Sequence, residues 1–198
     1  MYRLKQTFQT QERHRTWFFK VQYYERMSTR QVQLRDKIQS INAGFPHVPT
    51  VTPKQVQDLL LVKQPVVFVD CRSAEERHVS MIRPDAITER EFEQRCDDLQ
   101  RQGVNVIAYC TIGYRSAQFV AKHKRSDLEI YNLAGSLLAW IDDGYEIWGN
   151  GDTGYDHVTR DIHVWGRDFA TFVNSEYKPV YFRFPVLHEM ARKLFHRG

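Results

Sequence analysis

Cysteine is scarce in this chain: Cys71, Cys96 and Cys110 are the three in 198 residues. An odd, widely spaced set cannot close a disulfide framework, and no Cys-x-x-Cys pair exists to suggest zinc or a dithiol. Cysteine usage of this kind fits a reducing, intracellular setting. His157, His163, His188 and His196 are too scattered to build a metal site, so no metal and no cofactor is expected. Long apolar runs are also missing. The longest, Leu59 to Val62 and Val66 to Val69, are far too short to cross a bilayer, so no membrane span is expected. No apolar segment with a small-residue cleavage site opens the chain, which argues against a secretory leader. There is no G-x-G-x-x-G, no P-loop and no internal repeat, so the usual nucleotide-binding fingerprints are excluded.

A strong basic field is missing as well. The formal charge is +4, but residues 1–41 hold nine Lys/Arg and three Asp/Glu, and the rest of the chain is slightly acidic. Charges in this arm stand singly between polar and aromatic residues, the pattern of a solvated helix face. The basic pI therefore gives no case for nucleic acid as a partner. Arg3, Arg13 and Arg15 leave a mitochondrial address open beside the default cytoplasmic one, with three acids and few serines counting against it.

What is present divides the chain into three: a helical, basic, aromatic-rich arm over 1–51, a core over 52–149, and an extension over 150–198. In the arm, one helix is predicted from about Gln9 to Met27. A second starts at Ser28, with Gln31 completing a capping box, and stops before Gly44. Phe45 to Thr50 reads as an extended linker because of its prolines. The core opens on Thr52-Pro53-Lys54-Gln55, an N-cap, a proline at the first helical position and a capping glutamine. A helix to about Leu61, strand 66–70, helix 89–101, strand 104–109, helix 116–124, strand 128–133 and helix 136–143 follow. Strands alternating with helices imply an α/β fold: a parallel sheet flanked by helices on both faces. In such sheets ligands sit at the carboxyl ends of the strands. The glycine-rich segment 149–154 reads as a break, and an amphipathic helix is predicted around Val186, Met190 and Leu194. Of the 26 aromatic residues 17 lie outside the core, too many to leave in water. The flanks must pack on the core or dock on a protein partner.

Chemistry concentrates between Val104 and Lys122. An apolar strand runs into Cys110, a loop through Thr111, Ile112, Gly113, Tyr114 and Arg115, then a helix with Ser116 read as its N-cap. Backbone N–H groups of such a loop, backed by a helix dipole, favour a thiolate and can cradle an anion. A cysteine at a strand end is in most proteins a small hydrophobe. Gly113 and Arg115 point the other way, because glycine permits a tight loop and arginine can close over an anion.

Three stretches in order resemble the rhodanese (sulfurtransferase) superfamily. Val66-Val-Phe-Val-Asp70-Cys-Arg72-Ser-Ala-Glu75-Glu76, continuing through His78 to Ile87, is similar to the first signature. Cys110 to Arg115 matches the Cys-x-x-Gly-x-Arg loop. Tyr131-Asn-Leu133-Ala-Gly135 through Trp140 to Tyr145 is similar to the second signature. The chain departs at Ala134, Arg77 and Asp85, where glycine is usual in the family. The resemblance implies a Cys110 nucleophile that takes sulfane sulfur from a small donor such as thiosulfate and passes it to a thiol or cyanide. It further implies that Thr111, Ile112, Gly113, Tyr114 and Ser116 line the binding loop, that Arg115 neutralises donor or persulfide, and that Asp70 and Arg72 support it. A purely structural Asp70–Arg72 ion pair is the competing reading. By the same resemblance, four residues between Cys110 and Arg115, rather than the five of cysteine phosphatases, are the sulfurtransferase form of the loop, a sulfur site rather than a phosphate site. An interaction or scaffold role in a larger assembly is the alternative to catalysis.

Overall fold

The computed structural model describes residues 27–124, 127–152, 154–184 and 186. The predicted helices at Gln9–Met27 and around Val186–Phe195 lie almost wholly outside the described residues. Within them the elements run α1 (Thr29–Gly44), β1 (Thr50–Val51), α2 (Pro53–Leu61), β2 (Val66–Asp70), α3 (Ala74–Val79), β3 (Ser80–Met81), β4 (Ile87–Thr88) and α4 (Glu89–Arg101). They continue with β5 (Asn105–Tyr109), α5 (Tyr114–His123), β6 (Ile130–Leu133), α6 (Ser136–Asp142), β7 (Ile147–Gly151), β8 (Gly154–Thr159), β9 (Asp161–His163), α7 (Arg167–Ala170) and β10 (Lys178–Val180).

Local chemistry accounts for most helix starts. Ser28–Gln31, Thr52–Gln55, Ser73–Glu76 and Thr88–Glu91 are capping boxes in which the hydroxyl and the N3 side chain satisfy backbone N–H groups reciprocally. Pro53 sits where its missing N–H costs nothing. The strands β2 and β5 carry short apolar runs, Val66–Val69 and Val106–Tyr109, which suits a sheet covered on both faces. The main sheet has the order β1-β6-β5-β2-β4 and every pairing in it is parallel. Its fold is therefore the α/β arrangement with a parallel sheet.

Two cores flank this sheet. On one face Phe92 and Leu99 of α4 and Phe119 and Val120 of α5 pack against Val69, Val106 and Ala108. On the other, Leu34 and Ile41 of α1, Val56 of α2 and Leu137, Leu138 and Ile141 of α6 meet Phe68, Ile107 and Leu133. Ile162 and Val164 from the extension join this second core. Thr50, predicted as the end of the linker, instead forms an edge strand with Val51 beside β6. The glycine segment 149–154, predicted as a break, belongs to an antiparallel pair of β7 with β8. Glycines at 149 and 151 fit there because a Cβ would meet His157 Nε2 at 2.7 Å and Asp156 Oδ1 at 2.2 Å.

Register sets the site. β2 and β5 pair through Asp70 opposite Tyr109, and the Cys71 N–H donates to the Tyr109 carbonyl at 2.9 Å. Cys71 and Cys110 thus leave the carboxyl edge of the sheet from adjacent strands.

Candidate active site

Cys110 follows the last residue of β5, and its loop is held from behind by the β6–α6 turn. The Cys110 N–H donates to Ser136 Oγ at 3.0 Å. The carbonyls of Cys110 and Thr111 accept from the N–H groups of Leu137 (3.2 Å) and Leu138 (3.1 Å). The first turn of α6 has no intrahelical acceptors for these N–H groups, so the loop carbonyls satisfy them. With those carbonyls turned toward α6, loop N–H groups are free to face the sulfur. Gly113 donates its N–H to Cys110 Sγ at 3.2 Å. Gly113 adopts φ +105°, which side-chain-bearing residues rarely take. A Cβ there would also come to 3.4 Å from the Gly135 nitrogen.

Helix α5 starts at Tyr114 with Gly113 at the cap, not at Ser116. Ser116 is therefore inside the first turn and cannot be the N-cap. Its hydroxyl is buried instead, 3.6 Å from Cys110 Sγ and bonded to Asn132 Oδ1 at 2.7 Å. Asn132 in turn donates to the Gly113 carbonyl at 3.2 Å. The misplacement arose because a serine ahead of an apolar run is the usual helix-start signal, whereas the glycine cap has no side chain to signal.

The Cys110 thiol is buried, and burial alone would raise its pKa. The Arg115 charge, the N–H and hydroxyl of Ser116 and the Gly113 N–H outweigh that penalty, so the thiol lies below its ordinary range. Cys71 shows the contrast: burial and nearby negative groups push its thiol well up, consistent with a packing role.

Arg115 does not stand free. Its Nη1 and Nη2 each donate at 2.7 Å to the two carboxylate oxygens of Glu76, and Nη2 reaches Thr111 Oγ1 at 3.3 Å. Glu76 is buried, which by itself would raise its pKa; the Arg115 guanidinium, the Arg72 charge and the Ser73 N–H bring it down to about 2. The bidentate pair fixes Arg115 beside the sulfur while offsetting most of its charge. His163 of β9 lies against the same carboxylate, 3.9 Å from Glu76 Oε1. Glu76, Asn132, Ser136 and His163 were not singled out as site residues. Only Glu76 had a local signal, the Ser73-x-x-Glu76 capping box; the others arrive through tertiary contact.

Asp70 and Arg72 form a fully buried ion pair at 2.9 and 2.7 Å, and Arg72 Nη2 also donates to the Ser80 carbonyl at 2.6 Å. Arg72 lies over the Tyr109 ring at 5.5 Å. The pair ties β2 to β5 and to the 80–82 segment, and acts on the loop through the field of Arg72 at Glu76. Thr111 and Ile112 are buried; Tyr114 is half exposed and its ring meets Phe45 edge-on at 5.4 Å.

A cavity of about 480 Å³ opens above the loop, lined by Cys110, Thr111, Ile112, Tyr114, Arg115 and Gln118 together with Lys37, Ile41, Trp165 and Phe169. Among the described residues no group of three or more His, Cys, Asp or Glu is placed to hold a metal ion. No helix of the described residues is long and apolar enough to cross a membrane.

A buried, acidified cysteine on an N–H-lined loop at the carboxyl edge of a parallel sheet is an arrangement that stabilises a thiolate. The family model of the rhodanese-like domain matches residues 52–143, and this segment of the chain is a rhodanese-like domain. Similar solved structures include the thiosulfate sulfurtransferase of Pseudomonas aeruginosa, at 18% identity and a TM-score of 0.47 over 64% of this chain and 25% of that one. The rhodanese-like domain protein of Staphylococcus aureus aligns at 26% identity and a TM-score of 0.41, over 50% of this chain and 97% of its own. A rhodanese-related protein of Thermoplasma volcanium aligns at 20% and 0.42, over 50% and 96%. The chain thus spans a quarter of the Pseudomonas protein and nearly all of the two smaller ones. No curated protein sequence matches it.

Proposed function

We propose that the protein is a sulfurtransferase that carries sulfane sulfur on Cys110. The supporting observation is the acidified Cys110 thiol held by Gly113 and Ser116 at the floor of an open cavity. The Cys110 thiolate attacks the outer sulfur of thiosulfate; the S–S bond breaks and sulfite leaves with its electron pair. The resulting Cys110 persulfide accepts hydrogen bonds from the loop. A thiolate or cyanide then attacks the outer sulfur, and Cys110 departs as thiolate. A scaffold role would have no use for a lowered thiol pKa at this position.

Incubation with thiosulfate should add about 32 Da per chain, removable by thiols, as expected of a persulfide. Cys110→Ser should abolish the adduct while Cys71→Ser and Cys96→Ser retain it. The short Cys110–Arg115 loop should hydrolyse aryl phosphates negligibly. Adduct on Cys71 or Cys96 with Cys110 unmodified, or robust Cys110-dependent phosphatase activity, would overturn the proposal.

A further inference from the structure

The cavity above Cys110 is larger than its proposed donor requires, and much of its wall lies outside the rhodanese-like segment. At about 480 Å³ it falls in the range of about 300–1,000 Å³ typical of sites that enclose organic ligands. Lys37 and Ile41 come from α1; Trp165 and Phe169 come from the extension, with their rings 6.1 Å apart edge to face. Both segments are firmly seated. Ile38 of α1 lies directly on Gly135, where a Cβ would meet its Cδ1 at 2.4 Å. Arg30 pairs with Asp142 of α6 and donates to the Phe172 carbonyl, and Asn174 donates to the Ile141 carbonyl. The two flanks are thus joined to each other and to α6, so their cavity-lining residues are held over the loop.

The lining has a distinct chemistry. Ile41, Ile112, Tyr114, Trp165 and Phe169 make it apolar and aromatic. It contains two cations, but Arg115 is compensated by Glu76. Lys37 is exposed at the rim and has no ion-pair partner among the described residues. A pocket with a nucleophilic sulfur at its floor, aromatic walls and one uncompensated ammonium selects an organic molecule with an apolar body and a single negative group.

From this geometry we infer that the flanks build an acceptor site for an organic thiol bearing a carboxylate, with Lys37 as its specificity-determining residue. The inference rests on the proposed sulfurtransferase reading. The acceptor thiolate attacks the outer sulfur of the Cys110 persulfide. A bond forms between the acceptor sulfur and that outer sulfur, the bond from the outer sulfur to Cys110 Sγ breaks, and Cys110 recovers the electron pair as thiolate. The product is the acceptor persulfide. No oxidant or reductant is consumed.

The test compares 4-mercaptophenylacetate with its neutral amide as acceptors for persulfide-loaded full-length protein, reading kcat/KM for each. The carboxylate should be preferred by about twofold to fivefold, the scale of one exposed ion pair. Lys37→Ala should erase the preference, Lys37→Glu should invert it, and Lys37→Arg should retain it. Because Lys37 is exposed, these variants should fold. Equal use of the two thiols by the unaltered protein, or a preference that survives Lys37→Ala, would overturn the inference. A second measurement separates it from the sulfurtransferase reading. Phenylacetate should slow alkylation of Cys110 by iodoacetamide more than phenylacetamide does, and Lys37→Ala should remove the difference. If no persulfide forms but this protection is seen, the sulfurtransferase reading fails and the pocket stands; if neither compound protects, the pocket itself is refuted.

Discussion

Replacing Glu76 by glutamine separates two roles of the carboxylate that act in opposite directions. The Glu76 oxygens accept two bonds from Arg115 at 2.7 Å and one from the Ser73 N–H at 3.0 Å, with Glu76 itself buried and its partners partly so. Glutamine preserves the volume and the cap but removes the charge, and it turns one NH₂ donor toward a guanidinium that is itself only a donor. Removing one partner of a buried ion pair costs about 3–5 kcal/mol. With one amide oxygen still accepting, about 2–4 kcal/mol is expected for Glu76→Gln. For a chain of this length that corresponds to a fall in Tm of roughly 6–12 °C. The same change leaves the Arg115 charge uncompensated beside Cys110, so the thiol should become more acidic. Arg115→Ala should also destabilise, but it should move the thiol up. Chemical denaturation reads the first effect. The pH dependence of Cys110 alkylation, in a Cys71→Ser/Cys96→Ser background, reads the second.

Acid titration provides an internal check. The Glu76 carboxyl is depressed from an ordinary 4.5 to about 2 in the folded state, so it contributes stability that is complete above about pH 4.5 and lost as pH falls toward 2. At about 1.4 kcal/mol per tenfold change in proton affinity, that contribution is about 3 kcal/mol. The stability gap between the unaltered protein and Glu76→Gln should therefore be flat from pH 7 to 5 and close between 4.5 and 2. A loss below about 1 kcal/mol, well short of the cost of breaking a buried pair, would refute the ion-pair argument. A Cys110 thiol made less acidic by Glu76→Gln would refute the charge-offset argument.

Two further outcomes follow from the same geometry. Gly113→Ala forces a side chain into φ +105° and should cost at least about 1–2 kcal/mol while pulling the N–H off the sulfur, raising the Cys110 pKa and slowing persulfide formation; denaturation and alkylation against pH measure both. Deleting residues 1–45 removes Leu34 and Ile41 from the core and one wall of the cavity, so Tm should fall and Cys110 should be alkylated faster by iodoacetamide; an unchanged Tm would show that the arm contributes nothing to the fold.

The strands 66–70 and 105–109, the capped helices at Ser28 and Thr52, and the glycine-bearing loop after Cys110 were legible in the sequence because their signals are local. A capping box spans four residues, each of these buried strands carries a run of four apolar ones, and a glycine in a six-residue loop marks a backbone that needs unusual φ. The parallel sheet followed from alternation of these elements. The 149–154 glycines misled for the same reason: their local signal is a chain break, and only pairing of β7 with β8 makes them a hairpin. Ser116 misled because its hydroxyl was read against the nearest helix start, whereas in the fold it faces Asn132 and Cys110 Sγ.

What the tertiary structure alone decided is the electrostatics and the reach of the site. Arg115 and Glu76 are 39 positions apart, and nothing in either neighbourhood says that one compensates the other. Lys37, Trp165 and Phe169 become cavity walls because α1 and the extension both pack on α6. The sequence by itself singled out Cys110 as the candidate thiol, since a thiol, a tight loop and a helix start within one short segment are a local signal. Packing determined how acidic that atom is and what can approach it, because charge compensation and enclosure are set by residues distant in the chain that meet only when the sheet registers are formed.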